Sequence, residues 1–71
     1  MTHLSGLSWQ DLAQALQRAG FQLDRQKGSH MVFVHPQSNR TVVVPRHDEL
    51  KPGTVAAILR ETGLRREDIS R

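Results

Sequence analysis

The sequence contains no cysteine and no tyrosine, and aromatic residues make up only 4% of its 71 positions. Without cysteine the chain can form neither a disulfide nor a thiolate metal site, which excludes the small secreted proteins held together by disulfides. The longest apolar run, residues 31–34, is far shorter than the roughly 18 residues that a membrane span needs. No basic segment followed by an apolar stretch begins the sequence, so we expect a cytoplasmic protein without membrane contact.

The length limits the chain to one small core. With 37% hydrophobic residues, 71 positions suffice for a single domain and leave no room for a second. The sequence therefore predicts one domain over residues 1–71, with a core at about 8–64 and terminal extensions at 1–7 and 65–71.

Positive charge is concentrated in the middle of the chain. The formal net charge is +3, but residues 18–47 alone carry a net +4, and the remainder carries a net −1. A basic middle fits a polyanionic partner, because neutralising phosphates supplies affinity that does not depend on sequence. Surface charge that only keeps a small domain soluble is the alternative at this point.

The order of periodic segments predicts a helix, three strands and a helix. Ser8 and Asp11 have the spacing of a capping box, and helical periodicity continues over 9–19 until Gly20. Pro52, at the first position of a second helix, and Gly63, after its last residue, predict where that helix begins and ends. Between the helices, alternating and β-branched runs separated by turn residues predict strands at about 21–26, 30–35 and 41–44.

Two amphipathic helices can cover their apolar stripes by packing side by side on one face of the sheet. We therefore predict an α+β fold of order α-β-β-β-α, with a three-stranded antiparallel sheet, of the double-stranded-RNA-binding kind. Phe21 and Leu23 are expected to face the core from the first strand, and Phe33 from the second. That orientation places His30 on the open face of the sheet.

The candidate site is the turn between the first two strands. Arg25, Lys27, Gly28, Ser29 and His30 follow one another there. Glycine permits close approach to a phosphate, the two cations supply positive charge, and histidine is the side chain whose ordinary pKa lies near neutrality. Ser29 could instead cap the turn, and the cations could only solubilise the hairpin.

These groups are sufficient for RNA cleavage. The ribose 2′-OH is an internal nucleophile, so an enzyme has to remove its proton, hold the phosphate in line and stabilise the developing charge, with no cofactor. For this chemistry His30 is the candidate general base, and Arg25, Lys27, Gly28 and Ser29 are the candidate RNA-binding residues. The alternative from the residues alone is that His30 is an ordinary solvated histidine at a strand start. The histidines have no spacing typical of metal ligands, so no metal site is expected.

Four spaced motifs resemble those of HicA toxins, from about Ser8 to Leu64. They are Asp24-Arg25-Gln26-Lys27-Gly28-Ser29-His30, Phe33-x-His35-Pro36, Val42-x-Val44-Pro45 and Glu49-Leu50-Lys51-Pro52-Gly53-Thr54. The resemblance implies the toxin of a type II toxin–antitoxin system, an mRNA endonuclease (mRNA interferase) that uses the histidine of the Gly-Ser-His motif, here His30. It also implies a HicB antitoxin that binds the toxin and masks the active site.

The sequence departs from this pattern beside the histidine. Many relatives have a second histidine directly after the first, where this chain has Met31. His47 would be the second proton-transfer group if the end of the third strand lies beside the hairpin. His35, before Pro36, is expected to pack or form a hydrogen bond at its strand end.

Two other classes of function remain open from the sequence. The topology and the basic middle alone favour a non-catalytic RNA-binding module, and a basic face could also serve only an acidic protein partner. Against duplex binding, Lys51 is the only base in residues 48–59. No DNA contact by this chain alone is expected.

Overall fold

The computed structural model describes residues 6–69, and within them the predicted order of elements is confirmed. The elements are α1 (Trp9–Arg18), β1 (Gln22–Lys27), β2 (His30–His35), β3 (Arg40–Pro45), α2 (Pro52–Thr62) and a 3₁₀ turn (Arg66–Asp68). The strands form one antiparallel sheet in the order β1-β2-β3. Residues 1–5 and 70–71 of the predicted terminal extensions lie outside the described residues.

Helix α1 begins with the capping box that the sequence predicts. The Ser8 N–H donates to Asp11 Oδ2 at 2.8 Å, and the Asp11 N–H donates to Ser8 Oγ at 3.3 Å. The two bonds satisfy amides that have no partner inside the helix. At the other end, Gly20 has a φ of +99°, which ends the helix and turns the chain into β1.

Helix α2 is bounded as the sequence predicts. Pro52 occupies its first turn, where a missing N–H costs little, and Gly63 closes it with a φ of +77°. After this helix, the chain forms one 3₁₀ turn and buries Ile69 to 5% exposure. Part of the tail therefore contributes to the core.

The core lies between the helices and one face of the sheet. Met31 and Phe33 of β2 and Val42 and Val44 of β3 are at most 3% exposed, and they are directly opposite partners in the register. Opposite partners share a face, so these four side chains form the covered face. Val43, between Val42 and Val44, is 46% exposed on the open face.

The prediction for Leu23 was wrong, because it is 48% exposed. Leu23 pairs with Phe33 and therefore lies on the helix side, but the helices pack against β3, and β1 is the opposite edge strand. Phe21, which precedes β1, is buried as expected. Leu50, in the segment between β3 and α2, is also buried, at 1% exposure, and its N–H donates to the Leu7 carbonyl at 2.7 Å.

Candidate active site

A two-residue loop joins β1 to β2 and carries the predicted site. Lys27 and His30 close it as paired residues, with Gly28 and Ser29 between them. Gly28 has a φ of +61°, and Ser29 is not among the described residues with a positive φ. A positive φ at the first loop residue alone is the pattern of a type II′ turn, which matches the right-handed twist of the two strands. The turn exposes all four residues, including His30.

A β-bulge at Asp24 decides where the cations of β1 point. Leu23 pairs with Phe33 and Arg25 with Val32, so Asp24 is an extra residue with no partner across the ladder. Strict alternation from Leu23 would place Arg25 and Lys27 on the helix side. After the bulge, Arg25 shares the open face with Val32, and Lys27 shares it with His30. The bulge therefore gathers two cations and the imidazole on one exposed face.

The end of β3 lies beside this loop. Pro45 pairs with His30, and the next residue, Arg46, donates its N–H to the Ser29 carbonyl at 2.6 Å. A role of His47 in proton transfer required the end of β3 to lie beside the hairpin, and the backbone places it there. His47 follows Arg46 directly in the chain. The His47 carbonyl in turn accepts the N–H of Trp9 at 3.0 Å. These bonds join the loop, the β3 exit and the start of α1.

The two carbonyl oxygens of the loop both accept hydrogen bonds. Gln26 Nε2 donates to the Gly28 carbonyl at 3.1 Å, and the Arg46 N–H donates to the Ser29 carbonyl. A carbonyl oxygen with a donor on it repels an approaching anion less than a bare one does. Both loop carbonyl oxygens therefore already have a hydrogen-bond donor.

His35 is a packing residue, as the sequence suggested. Its ring packs edge to face against Phe21, with the centroids 5.1 Å apart. Its Nδ1 is buried and has no hydrogen-bond partner among the described residues. It stands at the end of β2 away from His30, so the structure does not bring it to the loop.

Comparison with known proteins decides the family. A family model described as the HicA toxin of bacterial toxin–antitoxin systems matches residues 9–64, which is most of the chain. The chain belongs to the HicA toxin family. A HicA toxin is one member of a toxin–antitoxin pair, so the role of the chain is that of a toxin. A comparison with curated proteins gives no match.

Two general features accompany the site of this HicA toxin. No helix in residues 6–69 has the length and the apolar character that crossing a membrane requires. Within the same residues, no group of three or more His, Asp or Glu side chains is placed to hold a metal ion.

The sequence reasoning missed one neighbour of the loop in this HicA toxin. The Arg46 Cζ lies 5.1 Å from the centroid of the Trp9 ring, in a cation–π contact. In the sequence, Arg46 is one of the bases of the basic middle, and Trp9 stands at the start of the first predicted helix. No spacing rule links residues that are 37 positions apart in the chain, so only the fold reveals the contact.

Proposed function

We propose that this HicA toxin is an endoribonuclease that cleaves mRNA without a metal ion or cofactor, with His30 as its catalytic histidine. His30 acts as the general base that removes the proton of the ribose 2′-OH. The resulting alkoxide attacks the neighbouring phosphorus, and the bond to the 5′-oxygen of the next nucleotide breaks. Positioned proton transfer of this kind contributes about 10²- to 10⁴-fold to a rate.

The observation that carries the proposal is the shared face of His30, Lys27 and Arg25. His30 and Lys27 are paired residues, and the bulge turns Arg25 to the same exposed side. A phosphate held by the two cations lies within the region that the imidazole also faces. Positive charge there stabilises the extra negative charge that the phosphate acquires in the transition state.

The loop backbone supports the same reading. Gly28 has no Cβ, and a Cβ built on it would meet nothing within 4 Å, so the space over the loop is open to a ligand. The carbonyl oxygens of Gly28 and Ser29 are occupied by donors. We infer that Gly28 and Ser29 bind the phosphate that Arg25 and Lys27 attract.

The leaving 5′-oxygen needs a proton from a second group. His47 is the candidate within the chain, because Arg46 binds the Ser29 carbonyl and brings the β3 exit to the loop. Water is the alternative donor. A His47→Ala variant that keeps full cleavage would assign this role to water.

The antitoxin is the other proposed partner. We infer that a HicB-type antitoxin neutralises this toxin by covering the exposed loop. Arg25, Lys27 and His30 are all exposed, and an acidic surface would complement their charge. A HicB-type protein encoded beside this gene should bind the purified chain and protect RNA from it.

The deciding experiment is cleavage of a labelled single-stranded transcript in EDTA. We expect the wild-type chain to cut the transcript, and His30→Ala to cut it about 10²- to 10⁴-fold more slowly while keeping its far-UV circular dichroism and RNA affinity. An oligonucleotide of the same sequence in DNA is the substrate control, since it lacks the 2′-OH and should stay intact. Wild-type rates in His30→Ala would refute the role of His30.

The same assay separates the other classes of function. A non-catalytic RNA-binding module would retain the transcript without cutting it. A protein that only binds a protein partner would do neither. Either result with the wild-type chain contradicts the proposed nuclease.

A further inference from the structure

The exposed guanidinium of Arg46, which lies over Trp9, is a second positive charge at the end of the sheet that carries His30. Arg46 follows Pro45, which pairs with His30, so both side chains stand at the same end of the sheet. Its guanidinium, however, lies over Trp9, the first residue of α1, and therefore on the helix side. The open face and the helix side thus each present positive charge at this end.

The Arg46 side chain is held in place before any ligand arrives. Its backbone N–H is bound to the Ser29 carbonyl, and its guanidinium rests against the half-buried indole of Trp9. A side chain that is already positioned loses less freedom on binding. A cation–π contact also uses none of the guanidinium N–H donors, which remain available for a two-point contact with phosphate.

A purely structural role explains this contact less well. Two backbone hydrogen bonds already join the segments here, from Trp9 to the His47 carbonyl and from Leu50 to the Leu7 carbonyl. Arg46 itself remains exposed. An exposed cation that rests on an aromatic ring beside a basic loop fits a binding role better than a purely structural one.

We propose that Arg46, positioned by Trp9, binds a backbone phosphate next to the one that lies at His30. The RNA strand then passes over the end of the sheet, from the open face to the helix side. RNA as the ligand rests on the proposed function. Arg46 extends the binding site and does not act on the reacting atoms.

The test measures RNA binding without cleavage. A short single-stranded oligouridylate is titrated into the His30→Ala chain at several salt concentrations, with fluorescence anisotropy of the labelled RNA as the readout. Log affinity falls as log salt concentration rises. Adding Arg46→Gln should make this negative slope less steep by about 0.7, the value for one phosphate contact on a single strand. When the salt concentration rises fourfold, the affinity of the Arg46→Gln chain should therefore fall by a factor about 2.6 times smaller than that of the chain with Arg46.

Arg40→Gln is the matched control. It removes the same charge from the opposite end of β3, where Arg40 pairs with His35. We expect it to leave the salt slope unchanged. Arg46→Lys keeps the charge and should keep the slope, which provides a folded comparison if Arg46→Gln is unstable.

Trp9 gives a local second readout, since the chain has one tryptophan and no tyrosine. Oligouridylate should change the emission of Trp9 in the His30→Ala chain, and this change should be lost with Arg46→Gln. An unchanged slope in Arg46→Gln, or an equal decrease in Arg40→Gln, would overturn the proposal.

The two proposals fail in different ways. A wild-type chain that binds RNA through Arg46 but cuts no transcript contradicts the nuclease alone. If the wild-type chain cuts RNA and Arg46→Gln leaves RNA binding unchanged, the result contradicts the Arg46 site alone.

Discussion

Replacing Gly20 with alanine should strongly destabilise the fold, because two separate effects oppose a Cβ at this position. Gly20 has a φ of +99°, where an L side chain is strained. A Cβ built there would also lie 2.9 Å from His35 Nε2, closer than carbon and nitrogen normally approach. The His35 ring cannot easily move aside, since it packs against the buried Phe21.

The magnitude follows from the sum of these effects. The left-handed backbone costs alanine about 1–2 kcal/mol, and overpacking against a fixed ring costs about 1–3 kcal/mol. The lower entropy of the unfolded alanine chain returns about 0.4–1 kcal/mol. We therefore expect Gly20→Ala to lower the free energy of unfolding by about 3 kcal/mol. A domain of this size has about 4–11 kcal/mol in total, so a large part of its stability would be lost.

Urea unfolding followed by far-UV circular dichroism measures this change. Gly53→Ala is the control, because Gly53 lies in the first turn of α2 and a Cβ there meets nothing within 4 Å. It should be neutral or stabilising by up to about 1 kcal/mol. In a His35→Ala background, Gly20→Ala should cost only the backbone part less the unfolded-state return, about 1 kcal/mol. An equal cost in both backgrounds would refute the steric argument, and an unchanged stability would refute both parts.

Two further predictions concern stability. Ser8→Ala removes the side-chain oxygen that accepts the Asp11 N–H, and it should lower the free energy of unfolding by about 1 kcal/mol in the same urea assay; an unchanged midpoint would show that the capping box contributes nothing. Leu50→Ala should cost about 2–5 kcal/mol, because Leu50 is 1% exposed. Leu23→Ala, the same change at a 48% exposed site, is its control and should cost much less; similar values for the two leucines would contradict the observed burial.

The helix boundaries could be predicted because their signals are local. Ser8 and Asp11 act within one turn at the start of α1, and Pro52 and Gly63 each act locally at one end of α2. The residues that make each boundary therefore lie at that boundary in the sequence. The order of the strands followed from local signals too. The hydrophobic period changes from helical to alternating after the first helix, and turn residues separate the strands. The fold class needed no information about distant contacts.

The failures of the sequence reasoning all involve distant contacts. An extra residue at Asp24 is defined only against its partner strand, so the alternation in the sequence could not reveal it. The exposure of Leu23 depends on which strand the helices cover, and the burial of Leu50 depends on how the segment between β3 and α2 packs against the core. The hairpin loop was identified because its residues are contiguous in the sequence. Arg46 lies beside the loop only because β3 pairs with β2 so that Pro45 is opposite His30.

The two ends of the sheet should separate chemistry from stability. At the end with His30, the frame is made by backbone bonds from Arg46 to Ser29 and from Trp9 to His47, which side-chain substitutions leave in place. Variants of exposed side chains there should therefore change RNA binding or cleavage more than folding. At the other end, the His35 ring packs against Phe21 and occupies the space that a Cβ on Gly20 would need. Variants of Gly20 and His35 should lower stability, while the proposed RNA cleavage, measured per folded molecule, stays near the rate of the wild-type chain.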